Sequence, residues 1–373
     1  MDKESYYTLI NSYLNLLADY LNFRESKDFN IDKDTFSFFL NFSKKHSTTA
    51  LLYKAILATR SKIDKEYLSQ LEQYYFANLR KVICFEKERN ELYECLNKNQ
   101  IDYLPLKGLV IREYYIDAIT REFADNDILF ANKEDVIKKF FTNKGYKVEI
   151  YKKSAHDVYL KKPFYNFEMH RALFNKHEDY PLYVSYFKDY LKNSLVKQGY
   201  EHELTKEHFY IYFTAHTYKH FQGGGCGIRT LVDYYVYLRK NPNLDFVYIN
   251  KELDKLELHS FSDKISSLAN KIFNKQNLNE EEKDTLLYIA SSGTYGTLQH
   301  SVTKGVNKKG RFRYFMSRIF PPMSFYKMAY PFMYKTKVLI PVAWFCRLFR
   351  IIFTNPKKAT TELKLISKTK KEK

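Results

Sequence analysis

The first hundred residues contain no glycine, and their apolar residues recur at steps of three and four. Tyr6, Leu9, Ile10, Tyr13, Leu16 and Leu17 form one such series, and Phe36, Phe39, Leu40 and Phe42 form another. That spacing lines up one face of an α-helix, so residues 1–99 read as a helical region joined by short turns. Asp34 stands where an N-cap belongs. Residues 67–96, charged on one side and apolar on the other, read as one long helix.

The texture changes at Ile101. Residues 101–106 read as a strand ended by Lys107 and Gly108, followed by a helix over 109–117 and a strand containing 124–130. Residues 134–143 are expected to be helical, closed by Gly145, with successive strands at 146–151, 156–162 and 164–173. Strands and helices mixed over so short a stretch predict a compact α+β core, assigned to residues 100–175. Helix returns at 206–220 and 228–240 on either side of a glycine-rich hinge, 223–227, and again at 261–273 and 280–291, giving a second helical region over 176–310. Residues 311–355 form an aromatic and basic segment. The Lys-rich tail 356–373 has the composition of a disordered end. No internal repeat is found.

A composition that is 17% aromatic, with 34 Tyr and 30 Phe, excludes disorder of the chain as a whole. The formal charge of +18 favours polyanions: nucleotides, nucleic acid or an anionic membrane face. The cysteines Cys84, Cys95, Cys226 and Cys346 are scattered without a Cys-x-x-Cys pair, which argues against a disulfide framework and a structural zinc site. It suits a reducing compartment. No secretory leader is evident after Met1, and no run of eighteen apolar residues occurs; 338–354 comes nearest and is broken by Pro341, Arg347 and Arg350. A soluble, cytoplasmic protein is expected.

The chemistry centres on Asp125-Asn126-Asp127 and the apolar Ile128-Leu129-Phe130 that follows. Side chains alternate along a strand, so the two aspartates share one face with Cα atoms roughly 7 Å apart. Carboxylates held together repel unless a cation lies between them, and Mg²⁺ is the usual one for hard oxygen donors. Paired metals stabilise both the attacking and the leaving oxygen of a phosphoryl displacement.

Several blocks in order resemble one family. Leu104-Pro105-Leu106-Lys107-Gly108, Tyr114-Tyr115, and Arg121-x-x-x-Asp125-x-Asp127 resemble the uncharacterised nucleotidyltransferase family of the DNA polymerase β-like superfamily. So do Phe167-Glu168-Met169-His170-Arg171, the helical His216-x-x-x-His220 and Arg229-x-x-x-Asp233, and Pro341-Val342-Ala343-Trp344 with Arg347-Leu348. The resemblance spans about residues 36 to 350. Gly108-Leu109 replaces the Gly-Ser or Gly-Gly of other superfamily members, Asn126 replaces an apolar residue, and Ala124 stands where glycine is common.

The resemblance implies a polymerase-β-like core, a small mixed sheet with helices, flanked by helical regions. It implies Mg²⁺-dependent transfer of a nucleoside monophosphate from an NTP to a hydroxyl, with Mn²⁺ as a substitute cation. Asp125, Asp127 and Glu168 would be the catalytic metal ligands, with Glu168 activating the acceptor hydroxyl. Lys107, Gly108, Arg121, His170, His216, His220 and Arg229 would contact the nucleotide or substrate.

Zinc on His216 and His220 is disfavoured, since the Glu of a His-Glu-x-x-His helix is replaced by Thr217. Arg229 and Asp233 are most simply an i,i+4 ion pair. His156 and Asp157 receive no role. The acceptor is left open among a small molecule, a protein and a nucleic acid. Two alternatives stand beside this reading. One is a catalytically degenerate protein of the same fold that binds nucleotide or nucleic acid. The other is a basic protein lying on anionic lipid through residues 311–350.

Overall fold

The computed structural model describes residues 2–24, 31–58, 63–175, 181–294, 298–321, 323, 326, 332–333, 336–354 and 356–369. The helical front is α1 (Lys3–Leu21), α2 (Lys33–His46), α3 (Thr49–Leu57) and the long α4 (Lys65–Lys98). Asp32, not Asp34, caps α2: its carboxylate accepts from the Thr35 amide, and Asp34 falls in the first turn, where a negative charge meets the helix dipole.

The centre runs β1 (Tyr103–Pro105), α5 (Gly108–Ile111), β2 (Asn126–Phe130), α6 (Glu134–Asn143), β3 (Lys147–Ile150), β4 (His156–Lys161) and β5 (Tyr165–His170). The helix expected over 109–117 is one turn of α-helix followed by a 3₁₀ turn at Arg112–Tyr114. After α7 (Pro181–Tyr186) come β6 (Leu195–Gln198) and β7 (Glu201–Glu203), short strands that no sequence pattern announces. Among the described residues the sheet has seven strands in the order β3-β4-β5-β2-β1-β7-β6. β2 runs antiparallel to β1 and parallel to β5, and β1 is parallel to β7, so the chain is α+β with a mixed sheet. The sheet thereby extends past the expected core of 100–175.

The helical back is α8 (Lys206–Gly223), α9 (Ile228–Lys240), α10 (Phe246–Lys255), α11 (His259–Phe273) and α12 (Glu280–Ser292). The glycine run between α8 and α9, expected as a hinge, is closely packed at its C-terminal end. A Cβ on Gly227 would lie 2.8 Å from the Thr294 backbone and 3.0 Å from Nδ1 of the buried His46. Further on lie α13 (Leu298–Lys309), α14 (Arg311–Ile319), α15 (Ile340–Thr354) and α16 (Pro356–Lys368). The tail expected to be disordered is thus helical over α16, where Ile366 is buried with Val302, Val306 and Tyr314. No helix among the described residues is long and apolar enough to cross a membrane.

The period-2 alternation of the central strands decides where the site lies. Ile128 and Phe130 of β2 and Phe167 and Met169 of β5 face one side and are buried beneath α4 and α6, with Val82, Phe85, Leu92 and Phe141. The intervening residues, Asp127 and Leu129 on β2 and Glu168 and His170 on β5, face the other side, toward α8 and α9. Burying four such large apolar side chains contributes on the order of 1.5–3 kcal/mol each, enough to hold the alternate polar residues on their face. Asn126 points toward α4, where its Oδ1 accepts from Arg89 at 3.2 Å, so its polarity serves the scaffold and not the acidic face.

Candidate functional site

β1 ends in a sharp turn. Lys107 adopts φ 46° and ψ −112°, a backbone region that side chains rarely occupy, and α5 starts at Gly108. Such strain persists only where the surroundings over-determine it, and it concentrates at functional positions. The turn aims the Lys107 ammonium at the carboxylate of Asp127, Nζ to Oδ1 at 2.7 Å.

Parallel pairing of β2 with β5 sets Asp127 directly beside Glu168. His170, two residues further along β5, reaches the same Asp127 oxygen through Nε2 at 2.7 Å. An ionised carboxylate only accepts, so Nε2 carries the proton and donates it. Asp125 lies just before β2 and lines the same cleft of about 350 Å³. The far wall comes from α8 and α9, through His216, Thr217, Lys219, His220, Arg229 and Thr230.

The electrostatics follow from burial and from crowding of like charge. Burial raises the Asp125 carboxyl, and the charge of Asp127 raises it further. Burial acts likewise on Asp127, but the Lys107 charge and the His170 hydrogen bond outweigh it and hold that group well below the usual carboxylate range. Glu168 is pushed up to about 7 by burial and then by Asp127 and Asp125. Burial opposes the Lys107 charge, yet Asp127 keeps the ammonium above its ordinary value. Three carboxylates therefore share one lysine, and two of them remain poorly compensated.

Arg121 is committed elsewhere. Its Nε and Nη2 donate to the two oxygens of Asp233, both at 2.9 Å, with both residues buried. The Tyr115 hydroxyl donates to the same carboxylate at 2.6 Å. The i,i+4 pair expected between Arg229 and Asp233 is consequently not formed; Arg229 donates to the Glu122 carbonyl at 2.5 Å and lines the cleft. Arg-x-x-x-Asp on α9 thus ties the loop before β2 to the helix at two points. His216 and His220 face each other, Nε2 to Nε2 at 3.2 Å, and burial holds His216 in its neutral form.

Among the residues named from sequence, Lys107, Gly108, Arg121, Asp125, Asp127, Glu168, His170, His216, His220 and Arg229 all line this one cleft. Sequence reasoning left out His156. It lies opposite His170 in the β4–β5 ladder, with Nε2 3.7 Å from Glu168 Oε2. The signal available was strand alternation, since a β4–β5 hairpin brings one residue of β4 against each acid or histidine of β5. Its neighbour Asp157 points to the opposite face and is held by the Lys152 amide and Arg171.

A family model described as an uncharacterised nucleotidyltransferase matches residues 32–274. The described fold from α2 to α11 falls inside the matched region, whereas the block from Pro341 to Leu348 lies beyond it. No curated protein and no solved structure matches the chain.

Proposed function

Because this chain belongs to the uncharacterised nucleotidyltransferase family, we propose that the acidic cleft transfers a nucleoside monophosphate from an NTP to a hydroxyl, releasing pyrophosphate. One observation carries this reading. Three carboxylates from β2, its N-terminal flank and β5 converge on a cleft beside the cation of a strained strand-to-helix turn. The order strand, Lys-Gly turn, short helix and antiparallel acidic strand also supports a polymerase-β-like core.

A divalent cation fits the donor set, because Asp125 and Glu168 are oxygen donors raised by burial and by the neighbouring Asp127 charge, and Arg121 is spent on Asp233. Asp125, Asp127 and Glu168 would hold Mg²⁺, or Mn²⁺ in its place. When bound, the ions neutralise triphosphate charge and acidify the acceptor hydroxyl. Lys107 sits where it can exchange its hold on Asp127 for a phosphate oxygen. Glu168, on β5 at the cleft, is placed to take the acceptor proton. Arg229, His216 and His220 on the opposite wall would contact the acceptor or base.

Calorimetry with ATP, CTP, GTP and UTP, each with and without Mg²⁺, tests the proposal. The wild type is compared with an Asp125→Asn/Asp127→Asn protein that melts normally. Mg²⁺-dependent binding lost in the double variant is expected and names the donor. A folded wild type that binds none of the four would defeat the reading.

A further inference from the structure

Glu168 belongs to two clusters. On one side it stands beside Asp127 of β2; on the other it meets two imidazoles. His156 Nε2 stands 3.7 Å from its Oε2, and His170 Nε2 stands 3.9 Å from the same oxygen. One ligand atom from each of His156, Glu168 and His170 lies within 4.8 Å of the others. The sheet register makes this arrangement: His156 is paired with His170 across β4 and β5, and Glu168 precedes His170 by two residues on the same face.

We propose that His156, Glu168 and His170 form a site for a divalent transition-metal cation, of the class of zinc, cobalt or manganese. It shares Glu168, and Asp127 as a fourth ligand, with the reading above and needs the cleft, but not nucleotide transfer, to be real.

The two imidazoles separate this site from the all-oxygen set of Asp125, Asp127 and Glu168. Two imidazoles and one carboxylate favour borderline ions that accept nitrogen, whereas Mg²⁺ prefers oxygen donors and retained water. The geometry is close to what such ions need. With metal–nitrogen bonds of about 2.0–2.1 Å, neighbouring ligand atoms in a tetrahedron lie about 3.4 Å apart. The observed 3.7 and 3.9 Å to Glu168 require closure by a few tenths of an ångström, while the two imidazole nitrogens, within 4.8 Å of each other, require more, by turning the half-buried His156 ring.

Asp127 Oδ1, 2.7 Å from His170 Nε2, stands where a fourth ligand would. The cation would take the place of the Nε2 proton that now joins these two atoms. Access comes from the cleft, since His156 is 29% exposed there while His170 is 6% exposed. A pair of packed strand histidines explains their tilted ring contact, with centroids 4.9 Å apart. Ring packing alone gives no reason for one carboxylate oxygen to face both rings.

The test is a titration of the metal-free full-length protein with Co²⁺, followed by visible absorption. One equivalent is expected to give the ligand-field bands of mixed nitrogen and oxygen ligation. Zn²⁺ should displace it, and a large excess of Mg²⁺ should not. His156→Ala, a change at the cleft margin, should weaken Co²⁺ at least tenfold. A spectrum like that of the hydrated ion, or an affinity unmoved by His156→Ala, would overturn the proposal.

X-ray absorption at the zinc edge of the wild type needs no variant. Two imidazoles are expected in the metal shell, and an all-oxygen shell also overturns the site. The two readings fail separately. Nitrogen-ligated Co²⁺ in a protein that binds no NTP removes the transferase and keeps this site. Mg²⁺-dependent NTP binding with all-oxygen Co²⁺ does the reverse.

Discussion

The guanidinium of Arg121 lies so close to Gly108 that a Cβ on residue 108 would sit 2.5 Å from Nη1. Asp233 grips that guanidinium with both carboxylate oxygens. The glycine of the Lys-Gly turn is therefore specified by α9, more than a hundred residues away, acting through a buried arginine. The same chain of contacts fixes where the turn presents Lys107, and hence the cation that faces Asp127.

Gly108→Ala should destabilise the protein by about 1–3 kcal/mol, the usual cost of forcing an extra methyl group into a filled space. The arginine cannot swing aside without releasing Asp233. Chemical denaturation checks the stability, and calorimetry should report a parallel loss of Mg²⁺-nucleotide affinity. An alanine protein as stable as the wild type would show that Arg121 is free to move.

Asp233→Asn should cost about 3–5 kcal/mol, because it leaves the Arg121 charge buried without its partner. Replacing both residues, Arg121→Met with Asp233→Leu, should cost less than Asp233→Asn alone. A double-mutant cycle on melting curves measures the coupling. Additive effects would mean that the pair contributes little beyond its separate packing.

Lys107→Met separates two kinds of binding. Removing the ammonium frees Asp127 from its 2.7 Å partner, so Mg²⁺ alone should bind more tightly. The nucleotide should bind about tenfold more weakly, since a charge-assisted contact to phosphate is worth roughly 1.5–3 kcal/mol. Calorimetry with Mg²⁺ and then with nucleotide reads both. Equal weakening of the two would place Lys107 in a purely structural role.

His46 makes stability depend on pH. Its Nε2 lies 3.0 Å from the Ala290 carbonyl, and its Nδ1 accepts from the Ile228 amide at 3.1 Å, which fixes the neutral Nε2–H form. Burial, helped by the Lys45 charge, lowers its pKa to about 3. The unfolded chain takes up the proton near 6.5 and the folded chain only near 3, so U binds more protons in that window. This contribution to stability is complete above 6.5 and is lost as pH falls. Unfolding free energies at pH 7 and pH 4.5 should differ by on the order of 2–3 kcal/mol through this residue. His46→Gln should be less stable at pH 7 and less sensitive to acid. An unchanged pH slope in that variant would move the effect to another group.

Much of the frame was legible along the chain. Helical period at 3–4 residues marked the front, and helices at 134–143 and 228–240 begin and end where their sequence pattern indicates. Alternation placed Asp127 on the cleft face, whereas Asp125, expected in the same strand, lies just before β2 and lines the cleft from its flank; the ordered blocks pointed to a family whose model covers residues 32–274. These features are local: they depend on side chains a few residues apart, whose directions the backbone period sets.

What remained hidden depends on partners distant in sequence. Asp32 rather than Asp34 caps α2, a shift of two residues within one polar run. The strands β6 and β7 are short and lack a clear alternation, and β7 pairs with the edge that β1 offers. Arg229 and Asp233 satisfy the spacing of a helical ion pair, yet a buried bidentate match with Arg121 outcompetes a single contact on a helix surface. His156 carried no meaning until β4 paired with β5 and set it against Glu168. The sequence by itself determined which side chains alternate, cap and turn, because those choices are made within a few residues. The tertiary structure alone decided which charges meet, because burial removes the competing water and leaves each buried ion the partner that packing supplies.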